Sequence, residues 1–236
     1  MEQRSALVFG GSSGIGEATA KLLARQGGRV TITGRDEAKL AAAARAMDGV
    51  RTCVADARDA RAVEAAFAFA GPVDDVVICV SGGKGGGLFT EVRLADIEEA
   101  FREKTMAQLT VAQVAARHAR ASITFVTAAS PRSVIRGTAG LAAVNGAIEQ
   151  LIPILALELA PIRVNAVSPG IIDTAWWNGM PGEVKGALFA NAEKTLPVRR
   201  VGRPDEVAEV IALVARTGFM TGSVYEVDGG SHLVTQ

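Results

Sequence analysis

The 236-residue chain has one tyrosine, two cysteines, two histidines and no surplus of charge of either sign. Each shortage excludes something. With 25 basic and 25 acidic residues the formal net charge is zero, and Lys and Arg are scattered rather than clustered. Neither a nucleic acid nor an acidic membrane surface is an expected partner. Long apolar runs are also missing: Glu158 and Pro161 break the best candidate, so no membrane span is expected. The opening Met1-Glu2-Gln3-Arg4 leads straight into a short apolar strand, too short for the core of a secretory signal. Cys53 and Cys79 each fall in a strand-like run and read as buried, reduced thiols, which points to a cytoplasmic location. His118 and His232 lie near element ends with no carboxylate or cysteine at ligand spacing, so no metal site is expected.

What the chain does have is apolar substance, 49% of its residues, arranged in alternation. Short β-branched runs at 5–9, 29–33, 50–54, 75–80, 122–127, 162–167 and 223–227 read as strands. Alanine-rich stretches at 14–27, 36–47, 59–70, 95–120, 138–160 and 204–216 read as helices, with Pro153 expected to kink the fifth. Nearly continuous apolar strands alternating with helices predict an α/β fold, a doubly wound parallel sheet in three α/β/α layers. One domain is expected over 1–236, with an irregular stretch at about 172–202, carrying Trp176 and Trp177, as a substrate lid.

The first strand runs into Gly10-Gly11-Ser12-Ser13-Gly14-Ile15-Gly16, and a helix follows at once. Glycine permits a sharp turn, lets a pyrophosphate approach the backbone and packs helix against strand. The free N–H groups at the helix start then bind the anion. The second strand ends Thr33-Gly34-Arg35-Asp36, so a glycine and an arginine stand where an acid would bind the adenosine ribose. Arg35 can pair with a 2′-phosphate, which favours NADP(H) over NAD(H); its other reading is a solvated residue starting a helix. Asp56, just past the third strand, suits the adenine edge or else a plain turn.

These motifs, with Leu157-Glu158-Leu159-Ala160, Arg163-Val164-Asn165-Ala166-Val167-Ser168-Pro169-Gly170, Thr174, Gly202-Arg203-Pro204 and Val227-Asp228-Gly229-Gly230, resemble the short-chain dehydrogenase/reductase family from Ala6 to Gly230. The resemblance implies a Rossmann fold and a nicotinamide dinucleotide. It places that cofactor against Gly10, Ser12, Ser13, Gly14, Ile15, Gly16, Arg35, Asp56, Ala57, Ser81, Gly82, Asn145, Pro169, Gly170, Ile171 and Thr174. It further implies a homodimer or homotetramer, paired through the helices at 95–120 and 138–160.

The family's catalytic group is an Asn, a Ser and a Tyr-x-x-x-Lys pair. Counting back from Glu158, the Tyr position is Leu141, the Lys position is Asn145 and the Ser position is Ala128. No alignment slip explains this, because Tyr225 is the one tyrosine and Gly229 stands four residues beyond it. The Asn-Asn-Ala-Gly stretch that relatives carry becomes Cys79-Val80-Ser81-Gly82, and Lys104 falls at the catalytic Asn position. Lys104 and Asn145 thus read as an exchange of amide for amine that would keep one positive charge near the nicotinamide ribose. Alternatively, Lys104 is a surface lysine beside Glu103. Other substitute proton donors are Thr127, Ser130, Ser133 and Lys84, the last in a glycine run, 82–87, expected to be mobile. The expected function is reduction of a small or medium carbonyl, or the corresponding reaction of an alcohol or activated double bond. A nucleotide sensor without turnover and a non-redox enzyme are the alternatives.

Overall fold

A computed structural model describes residues 3–234. Seven parallel strands form one sheet: β1 (Ser5–Phe9), β2 (Arg29–Gly34), β3 (Arg51–Val54), β4 (Val73–Ile78), β5 (Ala119–Val126), β6 (Arg163–Pro169) and β7 (Val224–Val227). Their order is β3-β2-β1-β4-β5-β6-β7. Strand side chains alternate between two faces, so Leu7 and Phe9 go one way and Ala6 and Val8 the other. Both faces are covered. Phe9, Ile78, Ile123 and Phe125 pack with Val63 and Phe67 of α3 (Ala60–Ala70), Val111 of α5 (Ala107–His118), and Ile148 and Ile152 of α6 (Ala139–Glu158). On the opposite face Val8, Ile32, Val77 and Val167 pack with Leu23 of α1 (Gly14–Arg25), Leu40 of α2 (Glu37–Arg45), and Val207 and Ile211 of α8 (Pro204–Arg216). This is the expected doubly wound α/β fold. The strand order reverses between β1 and β4, and a crevice opens beyond the carboxyl ends of the strands at that point.

Three details add to or correct the sequence reading. The stretch at 172–202 is not irregular: Ala175–Gly179 form a 3₁₀ turn and Gly182–Thr195 form helix α7. Its glycines and Pro181 mask a helix whose one buried residue is Ala192, so its apolar periodicity is weak. The second is α6, which is long and apolar enough, by composition alone, to cross a membrane. One face of it enters the core, burying Val144, Asn145, Ile148, Glu149 and Ile152, and the helix continues through Pro153. The third concerns the glycine run at 82–87. A side chain on Gly82 would meet Glu103 at 2.5 Å and one on Gly140 would meet the Gly85 carbonyl at 2.4 Å. Gly87 N–H also donates to the Gly137 carbonyl at 2.9 Å. Gly82 and Gly85 thus pack closely against neighbouring helices, whereas a side chain on Gly83 would meet nothing within 4 Å.

Candidate active site

The glycine loop is shaped by contacts that forbid side chains. Gly10 and Gly14 adopt φ of 78° and 55°, the left-handed region. A Cβ on Gly16 would lie 2.2 Å from the Gly10 carbonyl oxygen, and one on Gly10 would lie 2.8 Å from the Cys79 carbonyl oxygen. Gly10 and Gly11 N–H both donate to the Thr33 carbonyl at 3.0 Å, which ties the loop to β2. The start of α1 is thereby held open as an anion cradle at the strand switch. Every residue assigned above to the cofactor lines one cavity of about 710 Å³, and so do Lys104, Leu141 and Ala128.

At the adenosine end, Asp36 caps α2 by accepting from Lys39 N–H at 3.0 Å, so its carboxylate is turned to the helix. A Cβ on Gly34 would meet Ser12 Oγ at 3.2 Å, leaving little room for an acidic side chain there. Arg35 remains exposed at the rim, with Lys39 and Arg58 also lining the cavity. Asp56 is held by Arg58, whose Nη2 lies 2.6 Å from its Oδ2, and this contact lowers the Asp56 pKa. Arg58 escaped the sequence reading, although an arginine two residues from a conspicuous aspartate was its signal.

At the other end, the chain between α4 (Leu94–Ala100) and α5 widens into π turns over Phe101–Met106, a local departure frequent at functional sites. This turns both Lys104 and Thr105 inward. Thr105 Oγ1 donates to the Val144 carbonyl at 2.9 Å, stapling the segment to α6. One helical turn after Lys104, fully buried Gln108 donates to the Val80 and Val126 carbonyls at 2.8 and 3.0 Å, joining the ends of β4 and β5. Lys104 is 8% exposed and lines the cavity, which removes the surface-lysine reading. Burial pulls its pKa down to about 8, against a raising influence from Glu149.

The two exchanged side chains take separate partners. Lys104 Nζ donates instead to the Thr127 carbonyl at 3.1 Å. Asn145 Nδ2 donates to Ser130 Oγ at 3.2 Å and to the Leu141 carbonyl at 2.9 Å. Asn145 Oδ1 is buried with no partner among the described residues, an acceptor facing the site with nothing to accept from. Of the other donors, Thr127 Oγ1 is committed to Glu149 at 2.7 Å and Ser133 Oγ to Ser231 Oγ at 3.0 Å. Lys84 stays exposed at the mouth. Trp176 Nε1 donates to the Gly82 carbonyl at 2.9 Å, and Trp176 packs edge-on against Trp177 with ring centroids 4.6 Å apart. Trp177 in turn meets Phe189 of α7, so an aromatic row links the helix at 182–195 to the cavity wall.

The histidines also need correction: Asp228 and Glu226 stand only four and six residues before His232, and folding brings Glu64 to His118. His118 Nε2 lies 2.7 Å from Glu64, and His232 Nδ1 lies 2.8 Å from Asp228 and 3.0 Å from Glu226. The ligand atoms of Glu226, Asp228 and His232 cluster within 4.8 Å of one another. Asp228 Oδ2 already accepts from Ser231 Oγ and from the backbone and ring of His232, so this cluster reads as a C-terminal anchor.

A glycine cradle at the strand switch of a parallel sheet, opening on a cavity that extends to Asn145 on α6, defines a dinucleotide-binding protein. Residues 10–232 match a family model described as enoyl-(acyl carrier protein) reductase. The chain is 31% identical over 248 residues to short-chain dehydrogenase/reductase ATR9 of Stachybotrys chlorohalonatus (strain IBT 40285), covering 98% of this chain and 97% of that one. It is 32% identical over 242 residues to L-xylulose reductase of Bos taurus, covering 96% of each. A crystal structure of a small-chain dehydrogenase in complex with NADPH superposes with a TM-score of 0.86 at 29% identity, covering 99% of this chain and all of that one. The chain belongs to the short-chain dehydrogenase/reductase family and is an oxidoreductase of that family, whose cofactor is a nicotinamide dinucleotide.

Proposed function

We propose that this protein is an NADP(H)-dependent reductase of a small or medium carbonyl compound in which the Lys104 ammonium, not a tyrosine phenol, protonates the substrate oxygen. The observation that carries the reading is a buried lysine, its pKa brought down to about 8, lining the same cavity as Leu141 and Asn145, the positions that the family resemblance gives to its Tyr and Lys. The nicotinamide supplies the hydride. Lys104 then gives its proton to the oxygen and is left as a neutral amine, uncharged in a site that disfavours charge. Asn145 Oδ1 is free to accept a hydrogen bond from a ribose hydroxyl, and Leu141, Trp176 and Trp177 shield the reacting centre from water. Arg35, seconded by Lys39 and Arg58, supplies the charge for a 2′-phosphate.

The test is NADPH oxidation against a panel of aldehydes, ketones and enones, beside fluorescence titration of both nucleotides. Turnover with at least one carbonyl, and tighter binding of NADPH than NADH, are expected. Nucleotide binding with no turnover across the panel would replace this reading with a nucleotide sensor. Arg35→Ala should weaken NADPH by about 10–100-fold, the worth of one charge-assisted pair, and leave NADH unchanged. Equal losses for both nucleotides would sink the 2′-phosphate role.

A homodimer or homotetramer is part of the proposal. Helix α6 exposes Ile154 and Leu157, the latter by 81%, and Phe219 is fully exposed in a loop whose Gly222 lies against Pro153 and Ala156. Apolar surface of this kind suits isologous packing. Light scattering at micromolar concentration should give twice or four times the 24.4 kDa chain mass; a monomer would refute it.

A further inference from the structure

Helix α6 carries a carboxylate where an apolar core helix has no need of one. Glu149 stands one turn after Asn145, on the same inward face, and is 6% exposed. A carboxylate in such a place is costly unless its oxygens are fully paired. Both oxygens are paired: Oε1 accepts from Thr127 Oγ1 at 2.7 Å, and Oε2 lies 2.9 Å from Arg132 Nη1. Arg132 is fixed on its far side by Glu226, 2.9 Å from its Nε, and Glu226 is fixed by His232. Thr127 is also the residue whose carbonyl receives the Lys104 ammonium at 3.1 Å. Its hydroxyl and carbonyl therefore join the lysine of one element to the carboxylate of another.

We propose that Glu149 is a positioning residue for the reaction: held by Thr127 and Arg132, it is the buried counter-charge that keeps Lys104 an ammonium between turnovers. The inference rests on Lys104 being the acting acid. The groups around the amine leave Glu149 alone in this role. Cys79, at the end of β4, also faces Lys104, but burial pushes its thiol up to about 12, so it carries no charge at neutral pH. Glu103, next to Lys104 in the chain, lies against Gly82 on the loop side. Arg132 opposes Glu149, taking up part of its negative charge, while Glu226, Asp228 and His232 lie beyond Arg132 and balance it.

Two substitutions should act with opposite sign. Glu149→Gln keeps the size and hydrogen bonds but removes the charge, so the Lys104 titration midpoint should fall by about one pH unit or more. Arg132→Gln removes the competing cation while still able to donate to Glu149, and the midpoint should rise. The midpoint is read in the full chain by NMR of ¹³Cε-labelled lysine, with the Lys104 signal assigned by its loss in Lys104→Met. The alkaline limb of the kcat–pH profile should move with it. Mere structural damage would not shift the two variants in opposite directions. An unmoved midpoint in either variant would overturn the inference. A midpoint that moves while the rate profile stays put would overturn Lys104 as the acting acid, so the two failures are distinguishable.

Discussion

Lys104→Met should cut carbonyl reduction by about 100–10,000-fold and at the same time raise the melting temperature. The loss follows from removing a positioned general acid; the hydride donor would still be held close, so a slow residual rate survives. The gain follows from desolvation. Folding depresses the lysine from the ordinary range near ~10.4 to about 8, and at ~1.36 kcal/mol per unit this costs roughly 3 kcal/mol at neutral pH. Methionine has nearly the same length and carries no charge, so most of that cost disappears, while Glu149 keeps Thr127 and Arg132 as partners. For a domain of this size each kcal/mol moves the melting temperature by about 2–4 °C. The pH dependence has a definite sign. Below about pH 8 both folded and unfolded lysine hold the proton and the penalty is complete. As pH rises from about 8 towards ~10.4, the folded state has released its proton and the unfolded state has not, so the wild-type protein gains stability on the variant. Reduction by the wild type should fade over the same alkaline approach, because it needs the ammonium. Calorimetry at pH 7 and pH 10, beside rates across that range, checks both halves. A variant that melts at or below the wild-type temperature at pH 7 would show that the lysine is not strained, and one that retains full activity that it is not used.

The fold was legible because it is a matter of alternation and punctuation. Strands β1 and β7 fall within a residue of the runs read from apolar periodicity, and the glycine loop announces itself between a strand and a helix. Helix α7 was not legible, because it lies on the surface, buries little beyond Ala192 and so has no apolar stripe to read. That Tyr225 is the one tyrosine, and that Lys104 falls in a helical stretch, could be read by counting along the chain. The partner of Lys104 could not, since Thr127 reaches it through a backbone carbonyl, which any residue type offers. Glu149 did leave a trace: a carboxylate among Leu, Ile, Ala and Val, one turn from Asn145. What spacing cannot supply is the cation that makes it tolerable, because Arg132 comes from a different element. For His232 the signal was in the sequence, since Glu226 and Asp228 stand six and four residues before it.

Gly16→Val should remove nucleotide binding at least as completely as Lys104→Met removes turnover. A Cβ there would sit 2.2 Å from the Gly10 carbonyl oxygen and 3.2 Å from Cys79 Cβ. The nearest obstacle is backbone, which cannot swing aside as the end of a flexible side chain would. Helix α1 must therefore retreat from β1, or Gly10 must leave its φ of 78°. Either movement breaks the two hydrogen bonds from Gly10 and Gly11 to the Thr33 carbonyl, and with them the alignment of the loop with the start of α1. The anion then loses several N–H donors together, and their contributions are cooperative because one rigid turn presents them all. Overpacking at a helix–strand contact costs about 1–3 kcal/mol of stability, which a domain with this much buried apolar core can bear. The expected result is a folded protein with at least about a 100-fold loss of affinity for NADPH and NADH alike. That pattern differs from Arg35→Ala, which should spare NADH. Gly186→Ala is the control, since a Cβ there meets nothing within 4 Å and lies in helix α7, where alanine is favoured. Fluorescence titration of the two nucleotides, with circular dichroism to confirm folding, decides the matter. A folded Gly16→Val protein with unchanged affinity would place the nucleotide somewhere other than this cradle.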